Sequence, residues 1–272
     1  MKFKTIYFFF NAILVVSFTV IFFMPFFMLG WDYVKVFWTQ NWYLPLVFFL
    51  TVAVLNAYFL SKWKLFSLLE SENWKEASQY LERRIYEKNS SSRQAVRILI
   101  NTCIVLADIV ALARLSRHIA ENKPRLFAVF ALDLGVPYII RGDPAMMEAY
   151  FEKALRNPRV RKRDWLRWNL AFARMAGGGY ADREKVREEL SLLAKKEEDP
   201  LLVLLSVYLL DKSAEKGDDE ARLIAGVCSS LKGKYTREAW VKTVGRSRNT
   251  LMGLVLSKLA DEAEKWLFEG EE

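Results

Sequence analysis

Histidine and cysteine are nearly missing from this chain of 272 residues, which has one His and two Cys. His118 stands alone in "ARLSRHIAENKP", so there is no second imidazole for a His-rich metal site and no evident partner for nucleophilic catalysis. Cys103 and Cys228 lie far apart in apolar segments and read as buried thiols of a reducing compartment, not as a metal pair or a disulfide. Strand signals are also missing. No sustained alternation of Val, Ile and Thr occurs, and no Asn-Gly hairpin turn. "GGG" (177–179) lacks the spacing of a phosphate-binding loop, and "GKYT" offers only Lys234. Adjacent acid pairs such as Glu188–Glu189 and Asp218–Asp219 diverge on a helix and read as solvated faces. No nucleophile–base pair emerges, so an enzyme is not expected, and no cofactor or metal is implied.

Charge is missing in two places. Thr5–Trp31 and Val36–Ser61 contain no Asp, Glu, Lys or Arg. Each exceeds the roughly 20 apolar residues that a bilayer-spanning helix needs. A stretch such as "YFFFNAILVVSFTVIFFMPFFML" has no polar face to turn to water. Its apolar part is too long for a signal peptide, whose apolar region runs roughly 7–15 residues, and no small-residue cleavage site closes it. Trp31, Tyr33, Trp38, Trp42, Tyr43 and Trp63 cluster at the ends of the runs, where amphipathic rings favour a membrane interface. Residues 1–62 therefore read as a two-helix transmembrane anchor with a loop from about Gly30 to Trp42. Lys2, Lys4, Lys62 and Lys64 outweigh the single loop lysine, Lys35. The positive-inside rule then places both termini on the cytoplasmic side of an inner membrane.

Beyond Lys62 the chain reads as helix throughout. Breaks such as "RGDP", "RNP", "EEDP" and "KGDD" separate segments with apolar residues at i, i+3, i+4 and i+7. Asp182 and Thr236 suit helix N-caps, and Pro200 suits a first helical turn. About ten helices in antiparallel pairs are expected. The chain is all-α: residues 63–200 carry the clearest helical repeats, and 201–272 form further helical hairpins or a cap.

The stretch "LDLGVPYIIRGDPAMMEAYFEKALRNP" (132–158) carries a particular spacing. Leu134, Gly135 and Tyr138 fit L-G-x2-Y, Gly142 marks a turn, and Phe151 and Ala154 hold later packing positions. Thirty-four residues on, Trp165, Trp168, Asn169 and Phe172 repeat the W-x2-L-G-x2-Y rhythm; Pro124 and Pro158 are spaced alike. "NWKEASQYLERRI" (73–85) is similar to a second helix of such a unit, following the tail of the second apolar run. The pattern resembles the tetratricopeptide repeat, a helix pair that buries its apolar face by stacking into a solenoid. Ala131 stands where the repeat has Trp, and Pro137 falls inside the first helix, where it should kink the chain. An unrelated solenoid or an irregular bundle is the competing architecture.

The resemblance implies a concave face made by fifth and ninth positions of successive units. Counted from Ala128, these are Leu132 and Val136, then Leu166 and Leu170; a less secure preceding unit gives Ile98 and Thr102. They lack the Lys, Arg and Asn by which some tetratricopeptide domains hold a carboxylate. The four leucine and valine positions form a candidate partner groove, to be filled by the C-terminal helix around Thr250–Phe268 or by a partner's amphipathic helix.

The net charge of +8 is uneven. Residues 61–175 hold 21 Lys and Arg against 12 Asp and Glu, while 176–272 hold 16 against 19. "RNPRVRKRDWLRW" concentrates Arg156, Arg159, Arg161, Lys162, Arg163 and Arg167 against Asp164. A solvated turn, a contact for anionic lipid or an acidic partner, and a nucleic-acid contact are the three readings. Nucleic acid is the weakest, because Trp165 and Trp168 fall on packing positions. The combined expectation is a membrane-anchored scaffold that positions protein partners. The other reading is an accessory subunit of a larger membrane assembly, such as a bacterial motor or envelope complex.

Overall fold

The computed structural model describes residues 3–87, 91–178, 183–196, 198–213 and 217–269, and every regular element among them is helical. The packing divides the chain into two compact units, 1–106 and 107–272.

The first unit holds α1 (Phe3–Leu29), α2 (Trp31–Gln40), α3 (Tyr43–Glu70), α4 (Trp74–Tyr86) and α5 (Arg93–Val105). Two of these are long and apolar enough to cross a membrane: Thr5–Met24 within α1, with mean hydropathy 2.3, and α3, with 2.0. Neither apolar stretch is buried within the protein. They pack through aromatic rings and one polar cluster. Phe18 stacks on Phe48 with centroids 3.8 Å apart. The Tyr7 hydroxyl donates to Asn56 Oδ1, and Asn56 Nδ2 donates to Asn11 Oδ1 at 2.9 Å.

The connection expected as a loop from Gly30 to Trp42 is mostly α2. Gly30, at φ 79°, breaks the chain direction after α1, a conformation glycine adopts without a Cβ clash. The next residues can then fold back, and the Trp38 ring settles against Phe22 at 4.2 Å. At the other end α3 runs past the apolar region to Glu70 and packs on α4, whose Ala77 and Leu81 are fully buried. Asn73 and Ser92 cap α4 and α5 by accepting from Glu76 N and Ala95 N.

The second unit begins with α6 (Ile109–Asn122) and α7 (Pro124–Phe130), then a 3-10 turn at Asp133–Gly135 and α8 (Val136–Arg141). Next come α9 (Pro144–Leu155), α10 (Arg163–Ala176), α11 (Arg183–Ala194), α12 (Pro200–Lys212) and α13 (Asp218–Lys234). It ends with α14 (Arg237–Arg248), α15 (Leu251–Val255) and α16 (Ser257–Glu269). The count exceeds the ten or so expected, chiefly because helices break where periodicity alone would continue them. The first helix expected within 128–161 is such a case. Pro137 lacks the N–H that a continuous helix needs, so the chain tightens into the 3-10 turn and restarts as α8. The break leaves carbonyls unpaired, and the buried Tyr150 hydroxyl donates to one, Ala131 O, at 2.6 Å. Gly142, at φ 67°, ends α8 in the left-handed conformation the turn requires.

From α9 to α13 each helix packs on the next, and α10 and α12 also touch, as do α11 and α13. The starts of α10, α12 and α14, at 163, 200 and 237, are 37 residues apart. Asp199 and Thr236 cap two of these starts, and Pro200 occupies the first turn of α12. Asp182 lies outside the described residues. The C-terminal segment then turns back: α15 packs on α8, and α14 and α16 pack on α12. This return works only because Gly253 has no side chain. A Cβ there would lie 2.2 Å from Ser247 O and 2.7 Å from Arg248 Cα.

Gly253 and Gly226 therefore respond oppositely to substitution. Gly226 is in the interior of α13 with open space around its Cα, so Gly226→Ala raises stability by about 0.5–1 kcal/mol. Gly253→Ala forces the two backbones apart and lowers stability by about 1–3 kcal/mol. Thermal unfolding of the two variants in the same detergent checks both signs.

Candidate functional site

Leu132, Val136 and Leu166 are packed into the interior, with only an edge of Leu132 reaching a cleft. They are 4%, 1% and 0% exposed, which makes them core. The physical reason is the C-terminal return: α15 covers α8, and α12 packs on α10. Leu170 is the exception, half-buried in a cleft of about 370 Å³ that it shares with Leu192, Arg163 and Arg167. Ile98 is partly exposed and Thr102 is buried on α5, in the first unit. The aromatic packing residues also fall in the second-unit core: Phe151 and Trp168 are fully buried, and half-buried Tyr138 stacks on Tyr150 at 4.6 Å. The close approach at Gly135 is real, since a Cβ there would lie 2.9 Å from both the Phe151 and Tyr150 rings.

The basic run is split by the fold. Arg156 lies beside Glu152 at 3.9 Å on an open surface, where such a pair contributes little. Arg167 reaches Glu189 at 3.3 Å and Asp164 at 3.8 Å. Arg159 and Arg161 are exposed; the Arg161 backbone N–H donates to Ala128 O at 2.9 Å, closing the 128–161 segment on itself. Lys162 and Arg163 face differently. They open a second, larger cleft of about 470 Å³ with Lys196 and Arg246, contributed by the α11–α12 connection and the end of α14. Leu132, Trp165 and Leu202 form its apolar lining.

One carboxylate organises that cleft. Asp199 Oδ2 accepts from Trp165 Nε1 at 2.9 Å, and both Asp199 oxygens lie 3.2 Å from Ser247 Oγ. Its Oδ1 also accepts from Leu201 N at 3.2 Å, capping α12. One side chain thus ties together the starts of α10 and α12 and the end of α14. Asp164 accepts from Lys196 at 2.6 Å. Among the described residues Lys162, Arg163 and Arg246 form no ion pair, and no side chain caps α10, whose N-cap residue Lys162 is left-handed at φ 54°. Lys196 and Arg246 lie 34 and 84 residues from Lys162. Sequence reasoning missed both, although the "EEDP" break and Pro200 marked the connection that carries Lys196.

Other chemistry-bearing groups lie elsewhere. His118 is half-buried near the end of α6, 3.4 Å from the Asn122 side-chain nitrogen. Cys103 is buried in α5, and Cys228 is half-buried in α13, where burial raises its thiol pKa. Among the described residues no three His, Cys, Asp or Glu side chains group closely enough to hold a metal ion. Arg187 bridges α11 to α13, donating through Nε to Glu220 Oε1 at 2.7 Å and through its second nitrogen to Oε2. These hydrogen bonds hold the Glu220 carboxyl below its ordinary pKa.

A family described as "Uncharacterised Treponema protein" matches residues 111–269, more than half of the chain. The chain belongs to this family. The match falls wholly within the second unit and takes in every residue of the larger cleft. A relative from Treponema pallidum (strain Nichols), described as "Uncharacterized protein", is 26% identical over 235 residues, covering 82% of this chain and 74% of the relative. That coverage exceeds the second unit, so the similarity reaches into the first. No solved structure matches the chain.

Asp199→Ala removes a helix cap and strands the Trp165 N–H, lowering stability by about 2–4 kcal/mol, as urea unfolding in detergent would show. The Glu220 pair has a distinct pH signature. Because the folded carboxyl is held low, its contribution is present above the unfolded pKa and lost as pH falls through the folded value. The stability gap between the parent protein and Glu220→Gln therefore narrows on acidification, measured by parallel unfolding curves.

Proposed function

We propose that this protein is a membrane-anchored adaptor: α1 and α3 span the inner (cytoplasmic) membrane, and the helical second unit positions a protein partner beside it. The observation that carries the reading is the contrast between the units. One presents two long apolar helices with nothing covering them. The other closes its own apolar core and leaves a charged cleft at its surface. An anchor plus a folded helical body with an open cleft suits a recruiting protein. A tetratricopeptide-like origin for the second unit is supported by the tight Gly135 packing, the recurrence of Trp165–Trp168–Asn169–Phe172 and the sequential packing of α9 to α13.

Lys62 and Lys64 come after the apolar part of α3, whereas only Lys35 marks the connection between the spans. Both termini are therefore assigned to the cytoplasm. A reporter active only in the periplasm, fused after Glu272, stays silent; strong activity reverses the orientation.

The adaptor role is tested by purification through a C-terminal tag in mild detergent. One soluble protein retained in stoichiometric amount is the expected result. A stoichiometric set of membrane proteins instead identifies an accessory subunit whose apolar hairpin packs into a larger complex. Recovery of the chain alone, under crosslinking as well, removes both.

A further inference from the structure

The larger cleft has a recognition chemistry that the adaptor reading does not specify. Its cations come from three places in the second unit: Lys162 and Arg163 at the head of α10, Lys196 before α12, and Arg246 near the end of α14. Among the described residues only Lys196 of these is bound to an acid, Asp164. The acids of the cleft are otherwise engaged or few. Asp199 is saturated by Trp165, Ser247 and its own helix, and Glu198 is exposed at the rim. Among the described residues four basic and three acidic ones line the cleft, one net positive charge. That sum argues against polyphosphate or nucleic acid, because Asp164, Glu198 and Asp199 offset all but one of the four positive charges. It suits one carboxylate. The uncapped first turn of α10 offers backbone N–H groups beside the cations. The Trp165 and Leu202 side of the cleft suits an apolar group next to that carboxylate, and about 470 Å³ is room for a residue or two.

We propose that this cleft docks a short segment of the protein partner that presents a single Asp or Glu carboxylate beside an apolar side chain. The inference rests on the adaptor reading and names the chemistry of its partner. The carboxylate sits among Lys162, Arg163 and Arg246, which are exposed and unpaired until it arrives, so desolvating them requires breaking no existing ion pair. Lys196 stays on Asp164 and fixes one wall.

The test uses the full chain in detergent. A displayed library of random peptides with blocked ends is selected against it, and the affinity of the best peptide is measured by fluorescence anisotropy. The selected peptides should share one acid flanked by an apolar residue, and changing that acid to its amide should weaken binding at least about tenfold. Lys162→Glu combined with Arg246→Glu should weaken it as much, and Arg163→Gln should weaken it less. Arg222→Glu, an exposed change on α13 outside the cleft, should leave it unchanged. All three cleft side chains are exposed, so circular dichroism of the variants should match the parent. Peptides without an acid, peptides with acidic runs, or equal binding by the double variant would overturn the proposal. A natural partner that co-purifies equally with the parent and the double variant also overturns it while leaving the adaptor reading intact. Failure of the parent to retain any partner counts against the adaptor reading alone, because the peptide selection still reports on the cleft.

Discussion

One helix with no polar side dictates the shape of the second unit. Ten consecutive residues of α12, Leu201 to Leu210, are buried, and even Ser206 turns its hydroxyl back onto Leu202 O at 2.7 Å. A helix apolar on every face cannot lie on a surface and must be enclosed. At thirteen residues it is also too short to cross a bilayer. The solution is a sheath: α10, α11, α13, α14 and α16 all pack against it. A row of stacked helix pairs leaves one side of each pair open. Here α12 packs on α10 and α15 on α8, so Leu132, Val136 and Leu166 of the expected groove are core while Leu170 is half-buried.

Enclosing a helix creates a difficulty at its ends, where backbone groups lack partners. Asp199 answers it at the N-terminal end and does more besides. By accepting from the α12 backbone, from Trp165 and from Ser247, it fixes where α10 and α14 meet α12. The cleft exists at that junction because three helix termini converge there, and termini bring charged side chains and turns that cannot be packed as tightly as helix faces. Its position thus follows from how the core is sealed, and its basic character from Lys162 and Arg163 of the basic run joined by Lys196 and Arg246.

Local signals in the sequence were good guides. The charge-free runs marked α1 and α3, Thr236 and Pro200 sat where helix starts need them, and Gly142 took the left-handed turn. The failures share a cause, which is contact between distant residues. The stretch between the two charge-free runs read as a loop, and the Trp38 ring against Phe22 is a contact that holds it as α2. Apolar residues at helical spacing cannot announce whether their face meets solvent or a distant segment, as α8, which begins at Val136, meets α15, which begins at Leu251. Lys196 and Arg246 belong to the cleft by folding alone. Asp199 was visible as a break residue, but its bonds to Trp165 and Ser247 were not.

The trio of Tyr7, Asn11 and Asn56 bears on how the first unit is made in the cell. Each residue leaves polar atoms on an otherwise apolar helix, and those atoms find their partners across the hairpin. For a chain inserted in lipid as proposed, α1 emerging alone from the insertion machinery would present Asn11 and Tyr7 to hydrocarbon with no mate, a burden of the kind borne poorly by single spans. The first helix is then best released late, once α3 has arrived to meet it. In that setting the delay would last until α3 is made as far as Asn56, and the two spans would enter the bilayer as one hydrogen-bonded cargo instead of in succession.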